Sequence, residues 1–282
     1  MDRKIIVFSV IAALVTGFFV GLPFLVNASY QRPCFVFLDD PAMSLVLPGR
    51  CYEEFKKGIC GLGFRFEKIT LNREFFNKEQ WQENLDSILN GVTFVMASPL
   101  ITATLESENY NFGERLPKIK SYGISYDENN CFDMILSSDV HGGWLEAEKA
   151  VDPDEKIAVL YEDDRFSKTS QSISENHGTG SVLEKKVEIS SVLSASNTLK
   201  EFEELGIGIV MCPFVHSPEY YFKEENSLKW IVDYRFVLNV PQENLYGVVY
   251  PDFFNSVLPY LGVEREVLKL MSGTLNYGFT AK

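Results

Sequence analysis

The chain has 282 residues, a formal net charge of −13 and a hydrophobic fraction of 46%. This length suits one large domain or two lobes, and the apolar fraction excludes wholesale disorder. The negative charge argues against nucleic acid and against an anionic membrane surface as partners, because both attract basic surfaces.

Residues 1–28 have the pattern of a secretory signal peptide. Arg3 and Lys4 precede an uncharged apolar stretch over 5–26, and "VNA" at 26–28 has the small-residue spacing of a cleavage site. We therefore predict export and cleavage after Ala28. The apolar stretch is also long enough to span a bilayer, so an uncut anchor is the alternative. Acylation at Cys34 is a third alternative, although "QRP" before it lacks the pattern of a lipobox. We expect a periplasmic or otherwise extracytoplasmic protein, either released or membrane-anchored.

The first half of the chain alternates between short apolar runs and amphipathic segments. The apolar runs predict buried strands, and the segments that stop at glycine predict helices. The predicted strands are 34–38, 64–71, 92–98, 118–125 and 131–137, with helices at 50–63, 77–91 and after Pro99.

The same alternation continues in the second half. The predicted strands are 156–162, 185–189, 206–212, 228–234 and 245–250, with helices at about 142–151, 165–175, 197–204 and, with interruptions, 252–271. Strand–helix alternation predicts parallel sheets with right-handed crossovers, which is an α/β fold.

Ten strands fit two sheets better than one, with the break near residue 138. We predict two lobes, each a parallel sheet flanked by helices, joined by a hinge with a cleft between them. The predicted parts are a first lobe over 29–138 plus about 252–271, a second lobe over 139–234, a crossover over 235–251 and a tail over 272–282.

Catalytic and cofactor motifs are missing from the sequence. It contains no G-x-S-x-G, no Walker A loop, no H-E-x-x-H and no C-x-x-C. The three histidines have no nearby cysteine or histidine that would complete a zinc site. We therefore expect neither an enzyme nor a bound cofactor or metal.

Polar and aromatic residues recur just after the carboxyl ends of the predicted strands. In open α/β sheets this is where ligands bind. Asp, Ser and Pro are also ordinary cap and turn residues, so a structural role is the alternative for any single member. The candidate ligand-binding residues are Asp39, Asp40, Ser98, Pro99, Asp139, Asp164, Phe166, Phe214, Asp233 and Tyr234.

Three segments resemble the type I periplasmic binding proteins, the solute-binding components of ABC transporters. The first is "SSDVHGGWLEAEKAV" followed by "KIAVLY", where Asp139, Gly142 and Gly143 stand between a strand and a helix. The other two are "VTFVMASPL" and the pair "LKWIVDYRF" and "LYGVVYPDFFNSVLPYL". The segment "PFVHSPE" departs from the usual Asn-Asp of this family, which leaves the ligand class open.

The resemblance implies a protein that captures a small polar ligand in the cleft for an ABC permease. It places Asp139 at the first crossing between lobes, where Gly142 and Gly143 allow close backbone approach. Carboxylates accept from hydroxyl or cationic donors, and aromatic rings such as those of Phe166 and Tyr234 stack on flat ligands. Sugars, nucleosides and amino acids all fit. The alternative functions are a membrane-anchored sensing or scaffold ectodomain of the same fold and, behind it, an exported α/β enzyme.

Overall fold

The computed structural model describes residues 32–47, 49–125, 131–162, 166–178, 181–187, 192–214, 219–222 and 226–282. The strands are β1 (Cys34–Asp39), β2 (Arg65–Thr70), β3 (Phe94–Ala97), β4 (Lys120–Ile124), β5 (Met134–Ser138), β6 (Ile157–Tyr161), β7 (Val182–Lys186), β8 (Ile209–Phe214), β9 (Lys229–Asp233), β10 (Leu245–Pro251), β11 (Gly273–Leu275) and β12 (Tyr277–Ala281).

The helices within these ranges are α1 (Pro41–Val46), α2 (Gly49–Gly61), α3 (Arg73–Phe76), α4 (Trp81–Ile88), α5 (Pro99–Ser107), α6 (Phe112–Arg115), α7 (His141–Lys149), α8 (Ser167–Asn176), α9 (Val192–Leu205), α10 (Glu219–Phe222), α11 (Phe253–Val257) and α12 (Arg265–Leu268). Short 3₁₀ helices lie at Tyr234–Phe236, Gln242–Asn244 and Leu258–Tyr260.

Two six-stranded sheets form the two lobes. The first has the order β11-β5-β4-β3-β1-β2, and all of its pairings are parallel. The second has the order β12-β10-β9-β8-β6-β7, in which only β12 is antiparallel to its neighbour. The predicted two-lobe α/β fold is therefore confirmed.

The central strands are buried on both faces, which explains their continuous apolar sequences. Every residue of β1, "CFVFLD", and of β6, "IAVLY", is buried. The helix α2 covers the first sheet through Cys51, Phe55 and Ile59, which are spaced by four residues and lie on one face.

The chain passes between the lobes at three places: residues 139–140 after β5, residue 252 after β10 and residue 276 between β11 and β12. The backbone N–H of Asp139 donates to the carbonyl of Leu275 at 3.0 Å, and that of Asp252 donates to the carbonyl of Asn276 at 2.8 Å. The three crossings are thus hydrogen-bonded side by side, as a hinge requires.

The structure corrects the predicted boundaries in the last third of the chain. The segment 235–251 is not a crossover, because β10 is an internal strand of the second sheet, and the passage near 235 lies instead at residue 252. The tail over 272–282 contributes a strand to each sheet. The interrupted helix predicted over 252–271 consists of α11, a 3₁₀ turn and α12. The strand predicted over 185–189 is β7, three residues earlier.

Candidate functional site

Asp39 ends β1 and is completely buried. Its carboxylate accepts from Ser44 Oγ at 2.6 Å, from Tyr52 OH at 2.5 Å and from the backbone N–H of Asp40 at 3.0 Å. Lys68 Nζ, on β2, lies 3.6 Å from the same carboxylate. Burial, followed by the hydrogen bond to Asp39, raises the pKa of Tyr52, so its hydroxyl remains a donor. Asp39 is therefore held by groups from α1, α2 and β2.

Asp40 caps a helix and ties two strand ends together. Its Oδ1 accepts from the backbone N–H of Met43 at 2.8 Å, which makes it the N-cap of α1. Its Oδ2 accepts from Ser98 Oγ at 2.9 Å. Ser98 is buried, precedes α5, and is followed by Pro99 in the first turn of that helix. These contacts match the cap interpretation of Asp40, Ser98 and Pro99, and a ligand contact at any of them remains a prediction.

Asp233 has the corresponding position in the second lobe, at the end of β9. It is 1% exposed, and its Oδ1 accepts from both the backbone N–H and Nε of Arg235, at 3.0 and 2.7 Å. It is thus the N-cap of the 3₁₀ helix Tyr234–Phe236. Burial raises the pKa of Asp233, although Arg235 lowers it in part.

The helices capped by Asp40 and Asp233 belong to different lobes and contact each other. The helix α1, capped by Asp40, contacts the 3₁₀ helix capped by Asp233. Met43 of α1 and Tyr234 are both buried and belong to one apolar cluster that is continuous through both lobes. The two lobes are therefore in contact where α1 meets the 3₁₀ helix. Asp40 and Asp233 cap these two helices and so fix the backbone at the contact.

Asp139 differs from the other three acids because it is exposed. Its Oδ1 accepts from the backbone N–H of His141 at 3.0 Å, and among the described residues this is its only side-chain hydrogen bond. Ser137, two residues earlier, is exposed as well. The carboxylate of Asp139 at the first crossing is therefore accessible to solvent.

The glycines after Asp139 have different roles. A Cβ at Gly143 would lie 2.7 Å from Tyr277 Cβ and 2.8 Å from Val249 Cγ1, so α7 needs glycine there to pack on β12 and β10. A Cβ at Gly142 would meet nothing within 4 Å. Close approach is therefore required at Gly143, where the neighbours are side chains of the second sheet, and Gly142 has no such requirement.

The remaining candidates lie after strands of the second sheet. Phe166 is 7% exposed and belongs to the core cluster, as does Tyr234. The backbone of Phe214 ends β8, whereas Asp164 lies outside the described residues. Ligand stacking by either aromatic ring remains a prediction.

The sequence analysis missed four residues that complete these networks: Ser44, Tyr52, Lys68 and Arg235. The spacing of Asp233 and Arg235 is a sequence signal for a local cap, since an Asp side chain often accepts from the backbone two residues on. No local pattern could identify the partners of Asp39, because they come from three separate elements.

The described residues contain neither a cluster of metal ligands nor a membrane-spanning helix. No group of three or more His, Cys, Asp or Glu in this part of the chain could hold a metal ion. No helix in the same part is long and apolar enough to cross a membrane.

Comparison by sequence gave no match: no model of a known family fits the chain, and neither does any curated protein. Comparison by structure gave matches over most of the chain. AraP, an arabinose binding protein from Geobacillus stearothermophilus, has a TM-score of 0.52 and 11% identity, with 89% of this chain and 97% of that chain covered. An ABC transporter solute-binding protein from Conexibacter woesei has a TM-score of 0.51 and 8% identity, covering 89% of this chain and 88% of that one.

A transcriptional activator of the comK gene from Bacillus halodurans is similar at a TM-score of 0.47 and 12% identity, covering 87% of this chain and 86% of that one. Sequence identities this low support a conclusion about the fold only. The order of the strands, the three adjacent crossings and the two likenesses above 0.5 agree with one another. The chain therefore has the two-lobe fold of the type I periplasmic binding proteins.

Proposed function

We propose that this chain is an exported solute-binding protein that captures a small polar ligand between its lobes for an ABC permease. The observation that carries the proposal is the exposed carboxylate of Asp139 at the first of three adjacent crossings. A ligand bound there touches both lobes, so that binding is coupled to the angle between them.

The chemistry of the crossing favours a ligand that donates hydrogen bonds. Asp139 accepts one backbone N–H on Oδ1, which leaves Oδ2 for a ligand hydroxyl or ammonium group. An acceptor at the crossing suits sugars, nucleosides or amino acids, which carry hydroxyl or ammonium donors. Arabinose is the first probe because a structurally similar protein is named for it.

Cys34 is unsuitable as a lipid anchor. It is the first residue of β1 and only 1% exposed. Its side chain belongs to an apolar cluster that lies within the first lobe and is separate from the one shared by both lobes. An acyl chain on its Sγ would have to be accommodated in that core. We therefore propose cleavage after Ala28 or an uncut anchor rather than acylation at Cys34, a choice that the burial of this side chain supports.

A thermal-shift screen with arabinose, other sugars, nucleosides and amino acids tests the binding function. A ligand should raise the melting temperature of the wild type and have less effect on Asp139→Asn. Asp152→Asn is a matched control, because Asp152 is also exposed and its Oδ1 also accepts from a backbone N–H two residues on, at 3.0 Å. Equal shifts in the wild type and in both variants would mean that Asp139 is only a turn residue.

The second candidate function is a membrane-anchored ectodomain that senses or scaffolds rather than delivers. The uncharged apolar stretch over residues 5–26, which is long enough to span a bilayer, favours it. Mass spectrometry of the chain from its native host separates the two candidates. A mature chain that begins at Ser29 supports delivery, and one that begins at Met1 supports the anchored ectodomain.

A further inference from the structure

Arg50 connects the two lobes on the flank of the hinge. It is the second residue of α2 in the first lobe, and its Nη1 donates to Thr280 Oγ1 on β12 of the second lobe. Its Nη2 donates to Tyr250 OH on β10 at 3.4 Å. The guanidinium carbon also lies 5.7 Å from the centroid of the Tyr250 ring, within the range of a cation–π contact.

The helix that carries Arg50 is fixed to the first lobe. Phe55 of α2 makes edge-to-face contacts with Phe35 of β1 and Phe66 of β2, at centroid distances of 5.4 and 5.1 Å. Glu54, one turn along the same helix, lies 3.5 Å from Arg50 Nε and restricts the guanidinium. The cation therefore moves with the first sheet, whereas both of its partners move with the second.

The position of Thr280 makes this contact sensitive to the angle between the lobes. Thr280 pairs with Val248 and lies four residues beyond the crossing at Asn276. At about 3.4 Å per residue this is roughly 14 Å from the crossing, so a rotation of about 15–20° would move Thr280 by roughly 4 Å. Such a displacement exceeds the reach of a hydrogen bond.

The contact accompanies the arrangement in which the lobes touch. In the same structure α1 of the first lobe meets the 3₁₀ helix Tyr234–Phe236 of the second. We propose that Arg50 is an interlobe latch, which favours this closed arrangement without any ligand by bridging α2 to β10 and β12. The bridge sets how much of the ligand-free protein is open and how far a ligand must shift that population.

Small-angle X-ray scattering of the ligand-free protein tests the latch. Arg50→Met keeps the alkyl stem and removes the cation. Thr280→Val removes the acceptor on β12, together with the long hydrogen bond that Thr280 Oγ1 donates to Ala281 O at 3.4 Å. Each variant should increase the open population about two- to fivefold, because the loss of one exposed cation–π contact or hydrogen bond shifts an equilibrium by about that factor. Combining the two should add little beyond Arg50→Met, because both remove the same bridge.

Lys269→Met is the matched control, because it breaks an exposed ion pair with Glu266 that lies wholly within the first lobe. It should leave the scattering curve unchanged. Unchanged curves for Arg50→Met and Thr280→Val, with melting temperatures like the wild type, would overturn the latch. An equal change in Lys269→Met would overturn it too. The test uses no ligand, so its outcome is independent of the proposed binding function.

Discussion

Asp39 in the first lobe and Asp233 in the second both end buried central strands, but their carboxylates are stabilised in different ways. Asp39 accepts from Ser44, Tyr52 and a backbone N–H, and Lys68 lies nearby. Asp233 has donors from one residue, Arg235, within the part of the chain that the structure describes. A buried carboxylate with donors from several elements fixes those elements to each other, whereas one with a single local donor carries a net cost of desolvation.

The largest expected effect is the loss of stability in Asp39→Ala. The substitution leaves the partly buried hydroxyls of Tyr52 and Ser44 without their acceptor, and we expect a loss of about 3 kcal/mol. Urea unfolding measures it. Asp86→Ala is the control, because Asp86 also accepts a tyrosine hydroxyl and pairs with an arginine but is 28% exposed. A similar loss in both variants would mean that the burial of Asp39 does not matter.

The next effect concerns binding rather than stability. Asp139→Asn should lower affinity for the ligand roughly ten- to a hundredfold, or about 1.5–3 kcal/mol, because a charge-assisted hydrogen bond becomes a neutral one. Its melting temperature without ligand should stay within error of the wild type, since Asp139 is exposed. Calorimetry with the ligand from the thermal-shift screen gives the affinity. A variant that melts early and binds normally would assign Asp139 to the hinge alone.

Asp40→Ala should be less destabilising than Asp39→Ala. It removes the N-cap of α1 and the acceptor of Ser98 Oγ, at a cost of about 1–2 kcal/mol. Asn72→Ala removes a comparable cap from α3, where the bond to Phe75 N is exposed, so a smaller loss is expected there. Melting temperatures of the two variants compare a buried cap with an exposed one. Equal losses of stability would show that the hydrogen bond from Ser98 to Asp40 contributes nothing to stability.

The smallest effect has the opposite sign. Burial raises the pKa of Asp233 above 3.8, so the folded state binds this proton more tightly than the unfolded state. The stability that results is present below pH 3.8 and is lost as the pH rises through the folded-state pKa. Asp233→Asn keeps an oxygen for the cap and removes the buried charge, so it should stabilise the protein by about 1 kcal/mol at pH 7.

The gain from Asp233→Asn should disappear when melting is repeated below pH 3.8, where the wild-type residue is protonated in both states. Asp39→Asn provides the contrast and should destabilise at neutral pH. If both asparagine variants change stability in the same direction, the different donors of Asp39 and Asp233 do not determine how each buried charge affects stability.

Local sequence was sufficient for most of the architecture. Runs such as "CFVFL" and "KIAVLY" identify strands buried on both faces, and their alternation with amphipathic segments predicts parallel sheets and two lobes. The break in this alternation predicts a lobe boundary near residue 138, and the resemblance to the type I periplasmic binding proteins implies that Asp139 lies at the first crossing. These features depend on neighbours within a few residues, so they are readable without the fold.

Only the tertiary structure decided which strands belong to which lobe and what the acids do. The strand β11 has three residues and pairs with β5, more than 130 residues earlier, and the place of β10 depends equally on its pairing with β9 and β12. The role of Asp39 depends on Ser44, Tyr52 and Lys68, which three different elements bring to one carboxylate. Composition and periodicity specify which face of a segment is buried, but the direction of a buried polar side chain is set by donors that only the folded chain brings together.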